Sequence, residues 1–263
     1  MNGKAALALL LISAGSLIFA GTHQQRSPRD EAPVHLPAGH LVPVGGPQPA
    51  PKDELAWMEA APSGLSDEDL TNRLDGVLTK MMHDVPAGQD TSRFACRRPA
   101  EVGPVPLLDA VDAYLRALPG SRTDPTLMRG LYLAAEQGNW LARVLVFQML
   151  SEKRAPDQTT AWRTIRLMEW MQEHRIGALY ASVSDALAAS GYYTDTPDVT
   201  ITGLDIYAAM HDSYPAQYKV GTELVRVGGP QQVAIGRKML ACAAAALPAY
   251  NVIYNDGVLA GGH

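Results

Sequence analysis

Aromatic residues make up 6% of this 263-residue chain, phenylalanine occurs three times and cysteine twice. Basic residues do not gather. Arg93, Arg97 and Arg98 form one short cluster, Lys153 and Arg154 another, and the formal net charge is −5. A surface that tracks nucleic-acid phosphates needs clustered Lys and Arg, so that class of partner is excluded. The sequence has no CxxC, no HExxH, no GxSxG and no phosphate-cradling glycine loop ending in Lys. Glu136, Asp185 and Asp205 are scattered, without the paired spacing that acid–base chemistry uses. His174 and His211 invite a shared metal with Glu173 and Asp212, but zinc needs three or four placed ligands, and polar turn residues are the simpler reading. The expectation is a protein that is not an enzyme and holds no metal and no cofactor. What is plentiful is Ala, Leu and Met, which lose little side-chain entropy in a helix, so the composition leans all-α.

The one long apolar run lies at the amino terminus. Lys4 supplies a positive charge, the stretch from Ala5 to Phe19 is uncharged, and Ala20-Gly21 are small residues suited to cleavage. Residues 1–21 therefore read as a secretory signal peptide, which places the protein in the periplasm. The run is short of the roughly 20 residues that a bilayer span needs. Ile18 is bulky for the −3 position, so an uncleaved anchor is the other reading, and an inner-membrane tether exists only in that case. Thr22 stands where a lipoprotein would carry its lipidated Cys, so this is not a lipoprotein signal. Seven prolines follow between Thr22 and Pro51. Proline removes backbone donors and fixes φ, so residues 22–52 read as an extended, disordered linker, with His23, His35 and His40 solvated in it.

Residues 53–124 read as a helical lead-in. Asp53–Ala60 is a short turn candidate. Ser66 is a good N-cap, with Asp67, Glu68 and Asp69 in the first turn, where the helix dipole favours negative charge. Leu70, Leu74, Val77, Leu78, Met81 and Met82 recur at helical spacing, and the helix should end near His83, before Val85-Pro86. Pro86 to Pro106 reads as loop and holds Cys96. Leu107–Leu118 is a further helix, and Asp124-Pro125 pairs a capping residue with a proline suited to the first helical position.

The chain is organised around Leu131–Ala142, LYLAAEQGNWLA, which reads as a helix end, a tight turn at Gly138-Asn139 and a helix start. Similar contexts surround Ala178, Ala216 and Ala249, at intervals of 36, 38 and 33 residues from Ala142 onward. Apolar helices are expected upstream over Leu127–Glu136, Trp162–Glu173, Leu204–Met210 and Ile235–Ala246. Their partners run downstream over Ala142–Leu150, Ala178–Ala189, Ala216–Val227 and Ala249–Leu259. Helix–turn–helix units at this period predict an all-α fold, an α-solenoid of about four repeats over residues 125–263. The segment LYLAAEQGNWLA resembles the AA-x-x-G-x-x-x-A core of SEL-one-like, tetratricopeptide-like repeats. AAMHDSYPAQYKVGTELV and LACAAAALPAYNVIY are weaker copies, with Asp212 and Ala245 in place of Gly138. The unit EWMQEHRIGALYAS lacks the paired alanines. The resemblance is to divergent exported proteobacterial members of the class.

Two cysteines in an exported chain predict a Cys96–Cys242 disulfide, since the periplasm is oxidising. Closing so long a loop is worth up to about 4–5 kcal/mol by chain entropy. Two buried thiols are the alternative. Trp162, Arg166 and Trp170 fall at i, i+4 and i+8 on one helix face, with Arg163 beside them, and Trp and Arg are enriched among interface hot spots. Tyr192-Tyr193, in an expected inter-unit loop, is a second candidate. Each tryptophan is open between packing and partner contact. The resemblance implies a protein partner, because exported SEL-one-like proteins occur beside secreted lipase effectors, where they act as immunity proteins. A general envelope scaffold is the alternative.

Overall fold

The computed structural model describes residues 55–246, apart from 118, 153–155 and 190–201. The expected signal peptide and linker, Tyr192 and Tyr193, and the expected helix from Ala249 lie outside the described residues. Among the described residues every regular element is helical and there is no strand, so the all-α expectation holds.

A turn at Leu55–Met58 leads to helix α1, Asp67–Asp84. Ser66 starts it as expected. Its hydroxyl accepts the Asp69 N–H at 3.1 Å while the Asp69 carboxylate accepts the Ser66 N–H at 3.0 Å. Such a capping box is worth about 1 kcal/mol. Leu70, Leu74, Val77 and Met81 form the buried stripe, and Met82, one position off it, is 58% exposed. The helix runs one residue past His83 because Asp84 has partners: it accepts from the Tyr180 hydroxyl at 3.0 Å and from Gln172 at 3.3 Å. The expected loop contains 3₁₀ turns at Val85–Gly88 and Thr91–Arg93 and the single-turn α2, Pro99–Val102. Helix α3 is Leu108–Arg116.

Three helical hairpins follow. They are α4 (Pro125–Glu136) with α5 (Trp140–Ser151), α6 (Gln158–Glu173) with α7 (Ala178–Ala189), and α8 (Gly203–Met210) with α9 (Tyr214–Val227). Helix α10, Pro230–Ala246, packs along α9. Side chains cap the starts: Asp124 accepts from Thr126, Asn139 from Ala142, Asp157 from Thr160, Thr202 from Asp205 and Ser213 from Ala216. Each cap satisfies an amide that the first helical turn leaves without a partner.

The three hairpin turns share one geometry. Gly138, Arg175 and Asp212 all have left-handed backbone, with φ of 92°, 54° and 64°, and they stand 37 residues apart. In each turn the next residue donates to a carbonyl five positions back. The bonds are Asn139 to Ala134 at 2.9 Å, Ile176 to Met171 at 2.8 Å and Ser213 to Ala208 at 3.0 Å. This is the helix-ending bond of the Schellman motif. Ala134, Met171 and Ala208, the three acceptors, are all fully buried. The shared register corrects one expectation. Leu179, not Ala178, is the equivalent of Ala142 and Ala216, because each stands four residues after its left-handed turn residue. The expected helix Ile235–Ala246 forms the larger part of α10, where an uninterrupted alanine run favours helix.

The hairpins stack in order. The second helices α5, α7 and α9 touch in sequence, while α1 packs along α6 and the turn after it meets α8. The Gly177 N–H donates to the His211 carbonyl at 2.8 Å across the junction between the second and third hairpins. A Cβ at Gly177 would lie 2.3 Å from the Ala208 carbonyl oxygen, so only glycine permits this approach. One hydrophobic cluster runs from Leu55 to Ala243 through all of these layers.

The turns make a graded prediction. Arg175→Gly relieves left-handed strain at an exposed position and should stabilise the protein by about 0.5 kcal/mol, after the loss of unfolded-state restriction. Gly138→Ala should cost about 1 kcal/mol. Gly177→Ala should cost more than Gly138→Ala, because it adds a backbone clash. Urea unfolding of the three variants checks the order.

Candidate partner-binding face

Trp162, Arg166 and Trp170 do share one face of α6, and that face is turned onto the lead-in. Trp162 is 2% exposed, and its indole N–H donates to the Glu59 carbonyl at 3.1 Å. The Arg73 guanidinium lies 4.6 Å above the ring and Arg166 5.8 Å from it. Arg166 pairs with Glu59 at 3.0 Å and with Glu169, which also binds Arg73 at 2.7 Å. Trp170 is half-buried, tilted against His174 at 4.9 Å and covered by Arg143, whose guanidinium also covers Trp57. Arg163 is half-buried as well. Periodicity places these residues on one face but does not say what covers it. Here the segment from Trp57 to Arg73 covers Trp162 and Arg166, and Arg143 of α5 covers Trp170.

The two histidines are engaged with their own helix ends. His174 Nδ1 lies 2.8 Å from the Trp170 carbonyl, and His211 Nδ1 lies 2.9 Å from that of Tyr207. The His211 ring stacks on Tyr207 at 3.9 Å. No group of three His, Cys, Asp or Glu able to hold a metal occurs among the described residues.

The disulfide anchors a strap. Cys96 and Cys242 are bonded, with Cα atoms 5.5 Å apart, and Cys242 is buried in α10. Beside Cys96, the Arg97 guanidinium forks onto the Asp212 carboxylate, Nε at 3.1 Å from Oδ1 and Nη2 against Oδ2. The Tyr214 hydroxyl donates to the Arg97 carbonyl at 3.2 Å. The Trp140 indole donates to the Pro99 carbonyl at 2.9 Å, its backbone N–H to Pro104 at 3.2 Å, and the Asn139 amide to Pro106 at 2.7 Å. Residues 96–106 are thus stitched to the turns that open α5 and α9. Asp212 is 3% exposed. Burial pushes its carboxyl above the ordinary carboxylate range, with Arg97 opposing the rise.

Next to the strap, α5, α7, the start of α9 and the end of α3 line a small groove, with a volume of about 80 Å³, that is partly open to solvent. Trp140, Leu141, Val144 and Leu145 form one wall, and Ala178, Ala181, Tyr214 and Pro215 face them. Asp185 reaches the groove from α7 with its side chain 30% exposed. Lys219 lies 3.5 Å from Asp185 and 2.9 Å from the buried Asp205, which also accepts from Ser184 and Thr202. Burial pushes the Asp185 carboxyl up; Lys219 opposes this and Asp205 adds to it.

No motif in the local sequence marks this groove, and Asp185 stands there as one scattered acid. The one local signal is a single carboxylate in ALYASVSDALAA, a helix otherwise made of small and apolar residues. The walls come from helices far apart in the chain, so no window of sequence contains them. No protein-family model matches the chain, and comparison with curated proteins and with solved structures finds no match.

Two stability tests follow from this geometry. Reducing the disulfide, or the Cys96→Ser, Cys242→Ser double variant, should lower unfolding stability by about 2–4 kcal/mol. Denatured but unreduced protein should label with no thiol reagent. Asp185→Asn should raise the thermal midpoint by a few degrees at neutral pH. A carboxyl whose folded pKa is raised costs stability once pH climbs through that pKa. The two proteins should therefore converge as pH falls below the ordinary carboxylate range, which melting curves at stepped pH would check.

Proposed function

We propose that this chain is an exported α-solenoid of about four helix–turn–helix units that acts in the periplasm by binding a protein partner. The partner is a secreted antibacterial effector, which the chain neutralises as an immunity protein. The single observation that carries the binding reading is the apolar groove along three successive second helices, held at one end by a disulfide-anchored strap. The repeat reading is supported by the 37-residue spacing of the left-handed turn residues, a period within the range of helical-repeat families. The periplasmic reading is supported by the amino-terminal run and by a disulfide, which persists in oxidising compartments. The effector reading rests on the resemblance of LYLAAEQGNWLA to SEL-one-like repeats, and the acidic chain suits a basic effector.

The test is capture from envelope and culture extracts with the tagged exported chain, residues 22–263, read by mass spectrometry. The expected outcome is one stoichiometric partner whose toxicity in the periplasm this protein relieves. A spread of envelope-assembly proteins at substoichiometric levels would replace the immunity reading with that of a general scaffold. No partner at all would overturn the binding reading.

A further inference from the structure

From the groove's chemistry we infer the partner's docking element: a segment of polypeptide with apolar side chains and one Lys or Arg, whose cation pairs with Asp185. The inference rests on the partner-binding reading above and names the site and the chemistry that reading leaves open. Three observations carry it. The groove walls are apolar, with Trp140 and Tyr214 held rigid by hydrogen bonds to the strap, so they are preorganised to bury side chains without an ordering cost. The floor on the α7 side is Ala178, Ala181 and Ser182, small residues that leave the groove its depth.

Charge supplies the third. Asp185 and Asp205 share one ammonium, that of Lys219, and Asp205 holds it closer. Ionised together they leave one negative charge without a counter-charge among the described residues, and it sits on Asp185, at the groove. The other groove carboxylate, Asp212, is already matched by Arg97. A partner cation would meet a carboxylate that is partly desolvated before binding, which makes the pair stronger than one on open surface. An apolar segment without that cation would instead bury Asp185 uncompensated, so the same carboxylate selects against it.

The test is panning of the exported chain against a random linear 12-residue peptide library. Enriched peptides should share an apolar core with a single Lys or Arg. Asp185→Asn should weaken their binding about tenfold, and Ala181→Trp, which fills the floor, should abolish it. Gln148→Trp, at another part-exposed groove position, serves as a second block. Met82→Ser, on an exposed position of α1, should bind as wild type. Circular dichroism and melting of each variant would show that it is folded. Enriched peptides that bind the Trp variants undiminished would overturn the groove while leaving partner binding intact. Groove-binding peptides without a basic residue, or indifferent to Asp185→Asn, would overturn the cation pairing. Failure to enrich any peptide would overturn the segment-docking inference, while capture of a stoichiometric protein partner would still uphold the binding reading itself.

Discussion

Asp212 sits at a junction that the rest of the structure depends on. Its backbone is left-handed and closes the turn between α8 and α9. Its carboxylate is buried, and it would be a costly ion there without the Arg97 guanidinium forked onto it. Arg97 is covalently next to Cys96, so the ion pair and the disulfide to α10 hold the same strap from two sides. A turn, a buried ion pair and a covalent crosslink thus act on one point. Losing either partner of the pair would leave an unmatched charge at the end of the groove.

The strap explains why the groove has walls at all. Trp140 and Tyr214 stand at the starts of α5 and α9, positions where a helix offers unsatisfied amides and where aromatic rings need a polar partner when buried. Backbone carbonyls of residues 97 and 99 supply those partners. The rings are thereby fixed across from one another, with centroids 6.2 Å apart. On the opposite layer the lead-in helix α1 covers α6, and cation–π contacts from Arg73 and Arg143 finish the cover over Trp162 and Trp170. One layer is closed by the protein's own chain and the other presents the groove.

Much of the local structure is legible in the residues. Ser66 with Asp69, Asp124 with Pro125, and Gly138-Asn139 each carry the chemistry of a helix boundary within four residues, and each boundary forms where that chemistry stands. The periodic apolar positions of α1 bury as their spacing requires. The turn at Arg175 has no such local signal, because nothing in an arginine announces left-handed backbone. The Ile176 N–H bond to the Met171 carbonyl and the tight seating of Gly177 against Ala208 are what hold it.

By itself, then, the sequence determined what depends on neighbours in the chain: an all-helical composition and most of the helix starts and stops. The tertiary structure decided what depends on residues distant in the chain. It turned the Trp162 face inward onto the lead-in, joined Cys96 to Cys242, and brought Trp140, Asp185 and Tyr214 from three helices to one groove. The division has a physical reason. Capping and periodicity are set by backbone geometry over a few residues, whereas the cover over a helix face is chosen by which apolar surface elsewhere in the chain can be removed from water against it.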